Sequence, residues 1–527
     1  VGMHGFRYFV WAWISGLLVG WFYQPKGIGL IIMLLLLLAV LFILLLPSRY
    51  SLLRRQGLIL SICAGLLSGW SMMLIRYPDP HIEEGVNYSS SGRVVMVKEN
   101  RFQNQLIVSL LEIDPEVTHS IAGTRILVEL PLPEEANVIS VGDILQMNSN
   151  FKPFDFRSEV SAFGKKGYWA GFGIRYYTRM DYSEIRLAGR KSAGGMVKSL
   201  SKFIALIRLK LYSEIALFQV AESNKTVIKA MLLGDKRGMD RDIKKVFSTA
   251  GIMHLLAVSG LHVGLVFMVL MKLMTLIGFP QNHPLNRCVC ILTVWLYVFV
   301  CGIPPSAGRA AGMISLFILS RWMGRQVTSI HLVYLVCFFH TIIEPAGIFS
   351  TGFLLSYLAI LGILVYFPKF QKALPVRNIV LKRIRDLAGI SLAAQTLTIP
   401  VVLFVFARFP VYFLLGNIIL MPLGLFIFYL CLVILFVQSL GLQIPIVYNF
   451  INWLMDTWIS LGSLLGKLPG STLIVQEFPV VECLFYLGLL FVFRNGLKKS
   501  ILQPYAVLWY LFIWGAVGFL YEICNKL

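Results

Sequence analysis

Apolar residues in this chain come in long unbroken runs, interrupted by a single polar interval. Runs near 6–23, 28–46 and 57–75 each approach the roughly 20 residues needed to cross the hydrocarbon core of a bilayer. Further runs follow near 252–271, 287–301, 306–320, 329–343, 348–366, 387–406, 412–437, 478–493 and 501–521, with 448–467 readable as a span or an interfacial helix. The pattern predicts a polytopic α-helical membrane protein of about 12–13 spans. The first run leads directly into the second, as a retained span does and a cleaved leader does not.

The interval 77–192 reads differently. Short alternating runs appear at Gly92-Arg-Val-Val-Met-Val-Lys98, Gln105-Leu-Ile-Val-Ser-Leu-Leu111, Thr124-Arg-Ile-Leu-Val-Glu-Leu130 and Gly142-Asp-Ile-Leu-Gln-Met147, separated by turn residues such as Asp114-Pro115 and Pro131-Leu-Pro133. This period of two predicts an inserted small β-barrel. From 195 to 250 the period changes to helical, with Phe203, Ile204, Ile207, Leu211 and Ile215 on one stripe and Lys202, Arg208, Lys210 and Glu214 between them. Such a helix can lie on a membrane or on a bundle. The expected organisation is N-terminal spans over 1–76, the β-domain over 77–192, amphipathic helices over 193–250, a transmembrane domain over 251–495 and a C-terminal span over 496–527.

Composition agrees: 57% of the residues are hydrophobic and mean hydropathy is +0.76. Lys and Arg number 47 against 26 Asp and Glu, a formal net charge of +21. In a membrane protein much of such an excess lies in cytoplasmic loops, so it does not by itself imply a nucleic-acid partner. Arg49, Arg54 and Arg55 place the second loop inside, so the β-domain is expected outside. Lys272, Arg287, Arg321, Arg325 and the cluster Lys369, Lys372, Arg377, Lys382, Arg383 and Arg385 then also fall inside. Within the β-domain, 77–151 has 4 basic and 11 acidic residues, whereas 152–192 has 9 and 4. Only the second part suits a polyanion, because phosphate affinity rests on Lys and Arg. None of the eight cysteines lies between 64 and 287, and there is no Cys-x-x-Cys pair. There is also no His-x-His, His-Glu-x-x-His or phosphate-binding Gly-x-x-x-x-Gly-Lys-Ser/Thr sequence. No metal, no cofactor and no ATP chemistry are expected.

The densest candidate chemistry is Thr249-Ala-Gly-Ile-Met-His-Leu-Leu-Ala-Val-Ser-Gly-Leu-His-Val-Gly264. Polar groups at membrane depth are costly and usually functional. On one helix, His254, Ser259 and His262 could share an interior groove, while Gly260 and Gly264 have the spacing of a small-residue helix contact. The run Gly234-Asp-Lys-Arg-Gly-Met-Asp-Arg-Asp-Ile-Lys-Lys245 precedes it, so Lys236, Arg237, Arg241, Lys244 and Lys245 would form a basic mouth. Arg309, Ser356, Gln395 and Asn417 place polar groups in four later runs, two of them beside Pro400 and Pro422. Together these features point to a passage for something anionic. A serine followed by glycine on a membrane helix also resembles the intramembrane serine proteases of the rhomboid type. Those carry Gly-x-Ser-Gly, however, where this chain has Ala257-Val-Ser-Gly260. His262, only three residues after Ser259, is poorly spaced to be its base.

Met231-Leu-Leu-Gly-Asp-Lys-Arg237 followed by 249–264 resembles the signature of the ComEC family of competence proteins. Pro305-Ser-Ala-Gly-Arg-Ala310, Gly352-Phe-Leu-Leu-Ser-Tyr-Leu-Ala359, Gln395-Thr-Leu-Thr-Ile-Pro400 and Gly416-Asn-Ile-Ile-Leu-Met-Pro422 follow in the family's order. The resemblance implies an inner-membrane channel for single-stranded DNA during natural transformation, with an OB-like external domain. Lys152, Arg157, Lys165, Lys166, Trp169 and Arg175 would be its DNA contacts, with Phe151, Phe154, Phe156, Tyr176 and Tyr177 as possible stacking platforms. It further implies membrane lipid, a DNA receptor, a separate nuclease and a cytoplasmic motor or DNA-processing protein as partners. Many family members carry a metallo-β-lactamase-like domain, but no His-x-His-x-Asp-His sequence occurs here, so no nuclease activity is expected of this chain. The alternatives are a transporter of another anionic polymer or metabolite and an intramembrane hydrolase.

Overall fold

The computed structural model describes residues 3–22, 63–73, 86–99, 103–113, 124–131, 139, 142–153, 169, 171–190, 195–475 and 486. The expected spans near 28–46 and 501–521, nearly all of that near 478–493, and both ends of that near 57–75, lie outside the described residues. By packing, the described residues form two units. One draws on Val1–Ile207, Leu273–Leu292 and Ala311–Phe353, the other on Arg208–Lys272, Thr293–Ala310 and Leu354–Leu527.

In the first unit, helix Met3–Phe22 crosses helix 63–73 at backbone contact. A Cβ at Gly16 would overlap the Leu66 carbonyl oxygen, and a Cβ at Gly69 would overlap that of Trp13. Gly65 stands equally close to Phe9. Gly65 and Gly69 are four apart on one helix face, the spacing that lets membrane helices approach closely. Trp13 Nε1 donates to Thr341 Oγ1 at 3.0 Å, tying the first helix to helix Ser329–Ile343.

Among the described residues seven strands follow: β1 Asn87–Glu99, β2 Gln103–Ile113, β3 Arg125–Pro131, β4 Asp143–Asn150, β5 Lys152–Pro153, β6 Ile174–Arg179 and β7 Ile185–Arg190. Their order is β5-β6-β3-β2-β1-β4-β7, antiparallel except for the parallel β3–β6 pair. The expected closed barrel is therefore replaced by an open mixed sheet with β5 and β7 at its edges. Alternation works as predicted: Leu106, Val108 and Leu110, Ile126, Val128 and Leu130, and Leu145 and Met147 enter one core. Phe151 and Tyr176 fill the same core, while Trp169 packs on the other face against Ile107, Leu127 and Ile174. Arg125 joins this sheet to the turn after helix Ser329–Ile343, donating to the Phe172 carbonyl at 2.9 Å and pairing with Glu344 at 3.1 Å.

Among the described residues, three helices are long and apolar enough to cross a membrane: Thr351–Ala373, Ile379–Phe406 and Phe413–Ser439. Shorter apolar helices include Gly260–Leu276, Pro284–Val300 and Ser329–Ile343. The chain is thus a multi-pass membrane protein. Proline sits at the first position of helices Pro284–Val300, Pro305–Trp322 and Pro445–Lys467, where its missing N–H costs nothing. Asn378 caps helix Ile379–Phe406 by accepting from the Val380 and Leu381 amides. Phe413–Ser439 contains a π turn over Gly416–Leu420. The expected run 252–271 begins later, at Gly260. Residues Met253–Leu256 form a 3₁₀ turn, and Ala257 is extended.

Substituting Gly69→Leu forces a side chain into the Trp13 carbonyl, and overpacking of this kind costs roughly 1–3 kcal/mol or more. The expected outcome is a lower unfolding temperature for the detergent-purified protein, while Gly264→Ala, where no described atom stands within 4 Å, leaves it unchanged.

Candidate functional site

The second unit is organised around the irregular stretch between helix Arg241–Thr249 and helix Gly260–Leu276. Gly251 has φ +75, a left-handed conformation, and a Cβ there would press on Phe413. Gly416 is equally constrained, since its Cβ would overlap the Ala250 carbonyl oxygen. Further along, Gly424 lies against Leu255 and the Trp458 ring, which in turn stands edge-on to Phe247 at 4.6 Å. Ser306 donates to the Val258 carbonyl at 2.8 Å, and Gly260 faces the Ala310 methyl. The stretch is therefore where residues 305–310 and 413–428 meet residues 250–262.

His262 stands on the first turn of helix Gly260–Leu276 with 0% exposure. Its Nδ1 accepts from the Ser259 backbone N–H at 3.1 Å and lies 3.0 Å from Ser259 Oγ. Because Nδ1 accepts a backbone N–H, the neutral ring carries its proton on Nε2. That Nε2 is buried with no partner among the described residues, and the ring packs on Phe428 at 4.6 Å. The three-residue spacing of Ser259 and His262 thus puts their side chains in contact. The bend before Gly260 frees Ser259 from the helix and brings its hydroxyl to the ring.

Arg309 is 4% exposed; its Nε donates to Ser356 Oγ at 3.1 Å and its guanidinium lies over the Tyr357 ring at 5.6 Å. Two candidate residues from separate runs thus meet directly. The basic mouth is rearranged. Gly234, at φ +74, ends helix Glu222–Leu233 and turns Asp235 back onto Tyr212, whose hydroxyl donates to it at 2.6 Å. Arg237 grips the same carboxylate through Nε and Nη2, each at 3.0 Å. Burial alone would raise the Asp235 carboxyl, but the hydrogen bonds from Arg237 and Tyr212 outweigh it and hold it at about 2. Arg237 is thereby neutralised. Lys236 and Lys244 remain as a pair: burial, then the charge of Lys244, lowers the Lys236 ammonium. Arg241 and Lys245 are exposed on the helix that follows.

The sequence profile described as Competence protein matches residues 231–499, just over half of the chain. The chain belongs to the competence protein family. It is 26% identical over 287 residues to ComE operon protein 3 of Bacillus subtilis (strain 168), covering 53% of this chain and 35% of that protein. It is 31% identical over 144 residues to an uncharacterized protein of Aquifex aeolicus (strain VF5), covering 27% of this chain and 33% of that one. The chain thus spans about a third of the length of these relatives. No solved structure matches it.

Within the competence region the remaining candidates are placed as follows. His254 is exposed on the 3₁₀ turn, so the single-helix groove expected for His254, Ser259 and His262 does not form. Gln395 bonds within its own helix, accepting from Thr398 Oγ1 at 2.9 Å. Asn417, 7% exposed, lies in the π turn with its Oδ1 unpartnered among the described residues. Gly260 makes a helix contact, whereas no described atom lies within 4 Å of a Cβ at Gly264. Outside this region, Arg157, Lys165, Lys166, Phe154 and Phe156 lie outside the described residues. Trp169 is 8% exposed, and Phe151 and Tyr176 are also buried, which leaves these rings in the core rather than free to stack on bases. Lys152 is exposed and Arg175 half-buried.

Sequence reasoning missed two polar joints. In one, Asn224, wholly buried, donates to Asn452 Oδ1 at 3.1 Å and Asp456 Oδ1 at 3.0 Å. In the other, Gln438 links Tyr448 to Glu214, donating to its carboxylate at 2.8 Å. A lone carboxylate in the apolar run 448–467 was a readable signal for the first.

The depressed Asp235 value gives a pH prediction. The folded carboxyl titrates below its ordinary range, so the network contributes fully above about pH 4 and is lost as pH falls toward about 2. Thermal unfolding followed from pH 5 to pH 2 is expected to fall more steeply for the wild type than for Asp235→Asn. Equal slopes would remove this network from the stability of the loop.

Proposed function

We propose that this competence protein conducts single-stranded DNA across the inner membrane during natural transformation. The observation that carries the reading is the irregular stretch 250–259, where separate competence motifs meet, next in sequence to the Lys236–Lys244 pair. Paired half-buried cations favour an anion between them, and a wall of few polar groups allows a charged polymer to bind weakly enough to leave. His262, Arg309 and Asn417 are buried, so this arrangement reads as the closed state of the passage, with opening exposing their polar atoms. In this reading the β-domain lies outside the membrane and the chain itself cuts no DNA. A receptor, a separate nuclease and a cytoplasmic motor or DNA-processing protein then act with it.

An OB-like reading of the β-domain has support in its ladders. β1, β2 and β3 form a meander, β4 pairs with β1, β3 runs parallel to β6, and β5, one residue beyond β4, pairs back onto β6. All of these strands but β5 send side chains into a single apolar core, as in a small OB-like domain.

The test is uptake of labelled DNA by cells whose own copy is deleted and replaced. Arg309→Ala at normal protein level is expected to reduce uptake about tenfold or more, since it removes a buried guanidinium from its hydroxyl and ring partners. Undiminished uptake in the deletion strain would sink the transport reading. The Ser259–His262 contact favours one other reading, an intramembrane hydrolase. Against it, the Nδ1 lone pair is already engaged by a backbone N–H, and Nε2 has no described group to orient it. Ser259→Ala keeps that backbone bond and is expected to retain uptake; complete loss of uptake at normal protein level would favour the hydrolase.

A further inference from the structure

Helices Thr351–Ala373 and Ile379–Phe406 form an antiparallel hairpin within the second unit. A Cβ at Gly362 would overlap the Ala393 carbonyl oxygen, and Gly389 lies against the Phe367 ring. The second helix has 28 residues, so at 1.5 Å per residue it is about 42 Å long, roughly 12 Å more than the hydrocarbon core. Its composition divides at the same point. Leu387–Phe406 holds no Lys, Arg, Asp or Glu, whereas Lys382, Arg383, Arg385 and Asp386 all lie in the first eight residues. Those eight residues, and the link 374–378 before them, therefore stand at the level of the lipid headgroups.

Two kinds of side chain are exposed at this tip. Leu374, Ile379, Val380 and Leu381 are 55–68% exposed, and Ile384 is 42% exposed. Lys372, Arg377, Lys382 and Arg383 are exposed as well, and none of them is in an ion pair among the described residues. Asp386 is the only acidic residue from 345 to 455. Arg385 holds it at 2.7 Å and also donates to the Leu374 carbonyl at 3.0 Å, which closes the link between the helices. The tip is thus cationic and apolar at once.

Positive charge fixes the side of the membrane on which a loop stays, but it does not call for exposed apolar side chains beside it. A patch of both kinds marks an interaction site. Nucleic acid would leave the apolar side chains in water, and the rings nearby, Tyr366, Phe367 and Phe370, are mostly covered and not free to stack. Residues 379 to 384 are all exposed, so this part of the helix is uncovered on every side. A docked protein covers one face, whereas a lipid leaflet surrounds a helix that emerges from it. An anionic leaflet meets both needs, since its phosphates attract juxtamembrane Lys and Arg and its acyl boundary takes apolar side chains.

We propose that this tip binds anionic phospholipid, with its four exposed cations on headgroup phosphates and its five exposed apolar side chains in the acyl boundary. Neither the transport reading nor the side of the membrane enters into this assignment.

The test uses the full chain purified in detergent and offered an equimolar mixture of dioleoyl phosphatidylglycerol and dioleoyl phosphatidylcholine, with retained lipid counted by native mass spectrometry. The wild type is expected to retain phosphatidylglycerol about tenfold or more over phosphatidylcholine, and less so as salt rises. Combining Lys372→Gln, Arg377→Gln, Lys382→Gln and Arg383→Gln is expected to abolish the preference. All four positions are exposed, and an unchanged unfolding temperature in phosphatidylcholine checks that the variant is folded. Hydrogen exchange localises the effect: amides of 376–384 are expected to exchange more slowly in phosphatidylglycerol nanodiscs than in phosphatidylcholine ones, for the wild type alone. Equal retention of the two lipids by the wild type overturns the proposal, as does a wild-type preference in the combined variant. Displacement of phosphatidylglycerol by hexathymidylate overturns it too, and would make the tip a nucleic-acid surface. DNA uptake is read separately, so loss of lipid preference leaves the transport reading standing.

Discussion

The constraint on which the second unit depends is the close approach of Gly416 to the Ala250 carbonyl, together with the left-handed turn at Gly251. A side chain at either place would push the helix Phe413–Ser439 away from the stretch before Gly260. That separation would also loosen the contacts of Gly424 with Trp458 and of His262 with Phe428. Lipid supplies no hydrophobic drive between helices, so packing of this kind, with small residues at the contacts, is what holds such a unit together. The non-helical backbone here is covered by residues 305–310 and 413–428.

Once the stretch is bent, its polar groups acquire partners that a straight helix would not offer. Ser259 reaches His262, the Val258 carbonyl receives Ser306, and Gly260 lets Ala310 approach. Arg309, one residue from that contact, is held by Ser356 and Tyr357. His262 Nε2 and Asn417 Oδ1 have no partner among the described residues. Buried polar atoms in this condition cost stability.

The β-domain obeys a different economy. Its period of two buries alternate residues in one core, and Trp169 closes the opposite face, so its strands are defined by side-chain burial rather than by backbone contact. Of the aromatic residues offered as base platforms, Phe151 and Tyr176 fill that core and Trp169 packs on its opposite face.

Much of this was legible in the chain. The apolar runs among the described residues became helices, four of them with starts set by Pro284, Pro305, Asn378 and Pro445, because those residues act through their own backbone or through amides two or three residues away. The alternation at 92–147 became strands for the same local reason, and the ordered motifs placed the chain in its family. The start of the helix at Gly260, the pairing of Ser259 with His262, the neutralising of Arg237 by Asp235 and the open edge of the sheet were decided by tertiary structure. Each depends on atoms distant in sequence or on a turn whose direction is set by what packs against it. Gly65 and Gly69 show the boundary: their spacing announced a helix contact as clearly as that of Gly260 and Gly264, and only the partner helix decided which of the four glycines would be used.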